Sequence, residues 1–259
     1  TPVIGVAFDG TGYGTDGAIW GGEILIADYV GFERFRHLAY VGLAGGDISV
    51  DRPYRMALAH LRAAGIEWSE DLPPVAACPP LEQAALAHQL DSGFAAVPTS
   101  SIGRLFDAVA ALAGVRQTVD FEAQAAMELE SLARNMPPGV GYKFGFESPG
   151  VFDAAPVIRE IVTDLRSSSG CDVIARKFHQ GLANAIVHMA EEVRASRSLD
   201  VVVLGGGTFQ NVVLLKLVTR GLMDAGFTVL TPTRLPANDG GLALGQVMVA
   251  TANRTVAGN

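Results

Sequence analysis

The stretch DVVVLGGGTFQNVVLLKLVTRGLMDAGFTVLTP, residues 200–232, constrains the fold more than any other part of the chain. It reads as an apolar strand, a glycine turn, a helix, a glycine stop and a second strand. That order is a βαβ unit with two parallel strands, and it makes the chain an α/β protein. A loop, TRLPANDGG, and a final helix, LALGQVMVATAN, follow it.

The N-terminal half is organised differently. VIGVAF, residues 3–8, has the length and character of a strand that ends at Asp9 and a glycine-rich stretch, FDGTGYGTDGAIWGG. Within that stretch Asp16-Gly17 is a hairpin signal, and the strand-like pieces of GAIWGGEILIADYVGFERFRHLA come after it. Residues 46–98 read as an inserted helical patch, with helical spacing in RPYRMALAHLRAAGI broken by the four prolines of EDLPPVAACPP. SSIGRLFDAVAALAG is a helix with Leu105, Val109 and Leu112 on one face, and DFEAQAAMELESLARNM a second with Ala125, Leu129 and Leu132. PPGVGYKFGFESPG is a turn-rich connection of β character. A long helix is expected over 171–195, with Ile174, Phe178, Leu182, Ile186, Met189 and Val193 forming its apolar stripe.

The 259 residues suit one large domain or two lobes, and 49% hydrophobic against 18% charged residues places the chain among globular proteins. A net charge of -8 provides no basic footprint, which argues against a nucleic-acid partner. Cys78 and Cys171 are too few and too widely spaced for a disulfide framework or a zinc motif, which predicts free thiols in a reducing compartment, the cytoplasm. The start TPVIGVAFDG lacks the features of a signal peptide, no run is long enough to span a bilayer, and the missing initial Met points to a piece of something longer.

Three glycine-bearing loops carry the functional signal: DGTGYG (9–14), GGGTFQN (205–211) and NDGG (238–241). Each lies at a strand end or before a helix, where glycine lets backbone amides approach a phosphate. Singly they also read as a hairpin turn, a tight βα turn and a helix cap in which Asn238 or Asp239 satisfies the first amides. Neither a Walker A pattern nor GxGxxG spacing is present, which sets aside P-loop and Rossmann sites.

Taken together, VAFDGTGYGTDGAIWGGE, SSIGRLFDAVAAL, ARKFHQGLANAI, LGGGTFQN and NDGGLALGQ resemble, in order, the C-terminal part of the HypF family of carbamoyltransferases, over almost the whole chain. The resemblance implies a partial HypF-like transferase module over 1–259, with the two-lobed actin/Hsp70/sugar-kinase (ASKHA) fold of the tRNA threonylcarbamoyladenosine enzymes. Its N-terminal side would be incomplete. It implies use of ATP and carbamoyl phosphate, activation as carbamoyl-adenylate, and transfer to the C-terminal cysteine of a HypE-like acceptor. That chemistry serves cyanide-ligand synthesis in nickel-iron hydrogenase maturation.

Residue by residue, Asp9 and Asp239 match the family's two aspartate metal ligands, for a divalent ion such as zinc or iron, with magnesium accompanying the nucleotide. Gly10, Thr11 and Gly12 match the loop beside the phosphate or carbamoyl group. Gly206, Gly207 and Asn211 match the second nucleotide loop; Asp107 occupies the place where relatives direct polar groups to the ribose, and Gly103 lies one turn before it. An Asp107 that caps a local amide is the alternative. Two departures stand out. The upstream HHxAH-type motif is absent, and none of His37, His60, His88, His179 and His188 forms an i, i+4 pair to replace it. His179 reads as structural. Ala123 stands where relatives usually carry glycine. An isolated piece of this kind is expected to bind metal weakly and catalyse little. A small-molecule kinase of the same fold, or a nucleotide-binding scaffold without turnover, are the rival readings. A kinase predicts ATP consumption with a small acceptor; a scaffold predicts binding alone.

Overall fold

Alternation along β1 (Val3–Tyr13) sends Ile4, Val6 and Phe8 into the interior, each at most 1% exposed. Burying three such side chains contributes about 1.5–3 kcal/mol apiece, and this anchors β1 at the centre of the fold. The computed structural model describes residues 1–257, with side chains to Asn253. After β1 come β2 (Ile19–Ala27), β3 (Phe32–Leu38), β4 (Val41–Ala44), α1 (Ile48–Asp51), α2 (Pro53–Ala63), α3 (Pro73–Ala77) and α4 (Pro80–Ser92). The chain continues through β5 (Ala96–Thr99), α5 (Ile102–Leu112), α6 (Gln124–Ala133), β6 (Val151–Phe152), α7 (Ala155–Arg166) and α8 (Cys171–Arg197). It closes with β7 (Val201–Gly205), α9 (Val212–Asp224), β8 (Thr228–Leu230) and α10 (Leu242–Ala257).

One sheet runs in the order β4-β5-β2-β1-β7-β8, and β3 pairs with both β2 and β6. β1 and β2 are antiparallel, as the Asp16-Gly17 turn requires, while β1 pairs in parallel with β7 and β7 with β8. The βαβ reading of the C-terminal third thus holds strand for strand. β1 is longer than its apolar run indicates: it continues beyond Asp9 to Tyr13. It can do so because the register shifts between Phe8, opposite Gly22, and Gly12, opposite Trp20. Asp9, Gly10 and Thr11 therefore face the single Gly21, a β-bulge of two extra residues that lifts the Asp9 turn out of the ladder.

Residues 46–98 hold α1 to α4 and the start of β5, and α2 is buried from Pro53 to Leu61 against α5. The expected stripe of α8 is fully buried at all six positions. α7 lies in residues 151–170, a stretch given no reading from sequence, although Pro156 near its start and Val157, Ile158, Ile161 and Val162 at helical spacing mark it. α10 stands apart, with Leu242, Leu244, Val247, Met248 and Val249 exposed. Among the described residues no helix is long and apolar enough to cross a membrane.

The bulged hairpin is braced from within by Glu23, 2% exposed on β2. Its Oε2 accepts from the backbone N–H groups of Gly21 and Gly22 at 2.7 and 2.8 Å. Its Oε1 accepts from Ser100 Oγ at 2.5 Å and Arg34 Nη2 at 2.8 Å. The Arg34 guanidinium in turn lies 3.8 Å from the centre of the Trp20 ring and reaches Asp16 and Tyr40. Removing one member of a buried, charged network strands the rest. Glu23→Ala is expected to cost about 3–5 kcal/mol and Ser100→Ala about 1 kcal/mol, read from urea unfolding midpoints; equal, small losses in both would show that the carboxylate is not the brace.

Two buried histidines set an acid limit. Burial lowers His60 on α2 and His179 on α8 from 6.5 to about 4. The unfolded chain therefore takes up protons first as pH falls, so stability should drop from about pH 6.5 towards 4. Unfolding free energies measured at pH 7 and pH 5 should show this loss, and a His60→Leu variant should show a shallower one.

Candidate active site

The structure brings three chain segments to one point above the sheet, at the Asp9 turn. Gly10 N donates to Asp9 Oδ1 at 2.7 Å, which folds the carboxylate back over the turn. From below, the N-terminus of α5 closes in: Ser101 Oγ lies 2.9 and 2.7 Å from the carbonyl oxygens of Asp9 and Gly10, sharing its one proton between them, and accepts from Arg104 N at 3.1 Å as the helix cap. Gly103 permits this approach, since a side chain there would start 2.7 Å from Gly10 Cα.

From the other side comes the loop after β7. Gly206 has φ +99° and lies against the Phe8 carbonyl, a conformation and a spacing that admit no side chain. A Cβ on Gly207 would lie 3.0 Å from Asp9 Oδ1 and 3.8 Å from Asn238 Cβ. Gly206 N donates to Ala237 O at 2.8 Å, which ties the 237–241 segment to the same spot. Asn238 Oδ1 accepts from Gly240 N at 3.1 Å, so the capping alternative for NDGG holds for Asn238, and Asp239 is exposed on the turn that follows.

Asp9, Gly10, Gly103, Gly206 and Gly207 therefore converge, with Asp239 close by in sequence to the Ala237 tie. Thr11 is exposed at the crest of the bulge and Gly12 has returned to the ladder opposite Trp20. Asn211 is occupied locally: Oδ1 caps α9 through Leu214 N at 2.9 Å, and Nδ2 lies 2.9 Å from His179 Nε2. His179 Nδ1 lies 2.7 Å from Ala175 O, so a neutral ring with the proton on Nδ1 satisfies both contacts. Glu130 Oε1 accepts from Val212 N at 3.1 Å, so with the Asn211 cap on Leu214 N two amides of the first turn of α9 are met by protein side chains. Asp107 is 3% exposed and caps no amide; its Oδ2 pairs with Arg104 Nη2 at 3.1 Å. Burial pushes its carboxyl up to about 6 against the pull of Arg104.

The sequence reading missed Ser100, Ser101, Arg104 and Glu23. Paired serines just before a helix are a capping signal, and a lone carboxylate in WGGEILIA or a lone arginine in IGRLF marks a charge that the fold must pair. Ala123 adopts φ +60°, the left-handed region, which gives a backbone reason for glycine there.

No three His, Cys, Asp or Glu side chains gather into a metal-holding set among the described residues. Asp9 and Asp239 offer carboxylate oxygens, fewer than the three or four protein ligands of a zinc or iron centre. Gly206→Ala is expected to destabilise the chain by about 1–3 kcal/mol, since backbone must yield, whereas Gly205→Ala, with open space around it, should cost far less; matched thermal melts of the two would settle this.

A family profile described as Carbamoyltransferase, Kae1-like Domain, second subdomain, matches residues 5–246. Carbamoyltransferase HypF of Rhodobacter capsulatus is 41% identical over 95% of this chain and 32% of its own length, and that of Rhizobium leguminosarum bv. viciae is 41% identical over 95% and 31%. The chain thus spans about a third of the length of these relatives. Among solved structures, full-length HypF in its phosphate- and nucleotide-bound form superposes with a TM-score of 0.89 at 39% identity, covering 96% of this chain and 39% of that one. HypF from T. kodakarensis gives 0.85 at 29% identity, covering 96% and 34%. With the matched profile running nearly from end to end and the Kae1-like, ASKHA-type architecture in place, the chain belongs to the HypF carbamoyltransferase family.

Proposed function

We propose that this chain is the nucleotide-holding half of a carbamoyltransferase module. The observation that carries the reading is the convergence of the Asp9 turn, the α5 N-terminus and the Gly206-Gly207 loop on one point, which leaves bare backbone facing a carboxylate. Such a cradle suits an anionic phosphate chain. That a relative of the same fold was solved with phosphate and nucleotide supports it.

In this reading water hydrolyses carbamoyl phosphate to carbamate and inorganic phosphate, a carbamate oxygen attacks the α-phosphorus of ATP, and pyrophosphate leaves, which gives carbamoyl-adenylate. The C-terminal thiolate of a HypE-like acceptor then attacks the carbamoyl carbon; the S–C bond forms, the bond to the adenylate oxygen breaks, and AMP leaves with the electron pair. The thiocarbamate serves cyanide-ligand synthesis for a nickel-iron hydrogenase. The Gly207 backbone orients the phosphate end and meets charge that develops on oxygen, while Asp107 and Gly103 lie on the ribose side. Asp9 and Asp239 would hold a divalent ion, zinc or iron, together with ligands from an upstream histidine helix of the family; such an ion supplies charge neutralisation at the phosphates. Neither cysteine takes part: Cys78 is buried with its thiol pushed up to about 11 by burial, and the acceptor brings its own sulfur.

Calorimetric titration of the chain with ATP and magnesium tests this. Saturable binding is expected, weakened about tenfold or more by Gly207→Val, which fills the space beside Asp9. Binding indifferent to Gly207→Val would place the nucleotide elsewhere and overturn the assignment.

A further inference from the structure

Two of the three segments that meet at the Asp9 turn are tied together by one imidazole. His179, fully buried on α8, packs edge-to-face on Phe106 of α5 at 5.3 Å. Its Nε2 lies 2.9 Å from Nδ2 of Asn211, at the end of the loop that starts at Gly206. Between those ends the loop makes a 3-10 turn over Gly207–Gln210, in which Phe209 N donates to Gly206 O and Asn211 N to Thr208 O, each at 3.1 Å. The Phe209 ring stacks on Phe8 at 5.9 Å. Phe8 therefore fixes the start and the middle of the loop, and His179 fixes its end.

The polarity of that tie is forced from both sides. Leu214 N is a donor, so the Asn211 amide must turn its oxygen to it, at 2.9 Å, and its nitrogen to the ring. Ala175 O is an acceptor, so the ring must carry its proton on Nδ1, 2.7 Å away. Nε2 then keeps a lone pair, which is what the Asn211 nitrogen requires. A proton on Nε2 would set two donors against each other. The amide could answer only by turning its oxygen to the ring, which presents Nδ2 to the Leu214 N–H and ends the cap on α9. Burial, and the Arg176 cation one turn earlier, keep a second proton off the ring.

We propose that His179 is a positioning residue for the second glycine loop: with its proton on Nδ1 it locks the Asn211 amide, and through it holds the Gly206-Gly207 backbone in place against Asp9. A Cβ on Gly207 would lie 3.0 Å from Asp9 Oδ1, and a binding constellation works only when held to within about 0.5 Å, so freedom at Asn211 is felt at Gly207. The inference rests on the nucleotide reading given under Proposed function. It assigns His179 no contact with the ligand.

The test has one part without ligand and one with ATP and magnesium. In the first, 15N NMR of the imidazole reads the tautomer, and hydrogen exchange reads the Leu214 amide. Wild type should show the neutral form with its proton on Nδ1. Asn211→Asp offers Nε2 a carboxylate oxygen, so the titration midpoint of the ring should rise by about one pH unit or more. His179→Leu should speed exchange at Leu214 by about tenfold or more, whereas His179→Gln, whose Oε1 can accept from Asn211 Nδ2 as the ring does, should keep it slow. In the second part His179→Gln should bind ATP within about threefold of wild type, and His179→Leu about tenfold or more weakly. Should His179→Leu not fold, Asn211→Ala removes the same tie and should weaken ATP by a similar factor. A wild-type ring with its proton on Nε2, or Leu214 exchange unmoved in His179→Leu, overturns the inference without any nucleotide. Equal loss of affinity in His179→Gln and His179→Leu overturns it as well, since the accepting atom would then not matter. ATP binding that no variant alters removes the role of His179 while the nucleotide reading stands. If wild type binds no ATP, the nucleotide reading falls and this role falls with it.

Discussion

Everything in the cleft depends on one irregularity of the central strand. β1 is anchored by buried side chains up to Phe8, yet it must free the next three residues from the ladder and rejoin it at Gly12. A bulge of that size opposite a single glycine would be loose if left to itself, because its backbone groups lose their cross-strand partners. The Ser101 hydroxyl takes the freed carbonyls of Asp9 and Gly10 on one side, and Glu23 takes the amides of Gly21 and Gly22 on the other. Ser100 joins the two clamps through its own bond to Glu23. The turn is therefore shaped before any ligand arrives, and a preformed cradle spends little on ordering when it binds.

The same economy of contacts explains where charge is placed. Buried ions sit in pairs around the hairpin and α5, Arg34 with Glu23 and Arg104 with Asp107, while Gly10, Gly103, Gly206 and Gly207 leave bare backbone beside the Asp9 carboxylate. His179 and Asn211 extend this arrangement to the far loop, where a neutral imidazole holds the amide that caps α9.

How much of this was readable in the sequence follows from which interactions are local. The α8 stripe and the β7-α9-β8 unit were legible because their periodicity is a property of consecutive residues. The three glycine loops were legible as loops, and the family resemblance grouped them. Their convergence was not legible from spacing, since it depends on β1 pairing with β7, some two hundred residues away. Nor was the partner of Asn211, which reads as a ligand candidate until His179, thirty-two residues earlier, is seen to hold it. α7 was missed because a turn-rich preamble masked its apolar period, and the run of β1 past Asp9 because glycines there signal a loop when seen without the strand opposite.

The bulge also limits how this hairpin can change in length. Side chains in a strand alternate between its faces, and a surplus of two residues returns β1 to the phase it had before the interruption. Tyr13 consequently points to solvent, 91% exposed, while Gly14 lies beneath the Trp20 ring, where even a Cβ would come within 2.5 Å of Cδ1. Loss or gain of a single residue between Phe8 and Gly12 would exchange those two positions and drive a phenol ring into space that cannot take a methyl group. The loop can shorten or lengthen by even numbers only, so parity, more than any one side chain, guards the spacing between Asp9 and the tip of the hairpin.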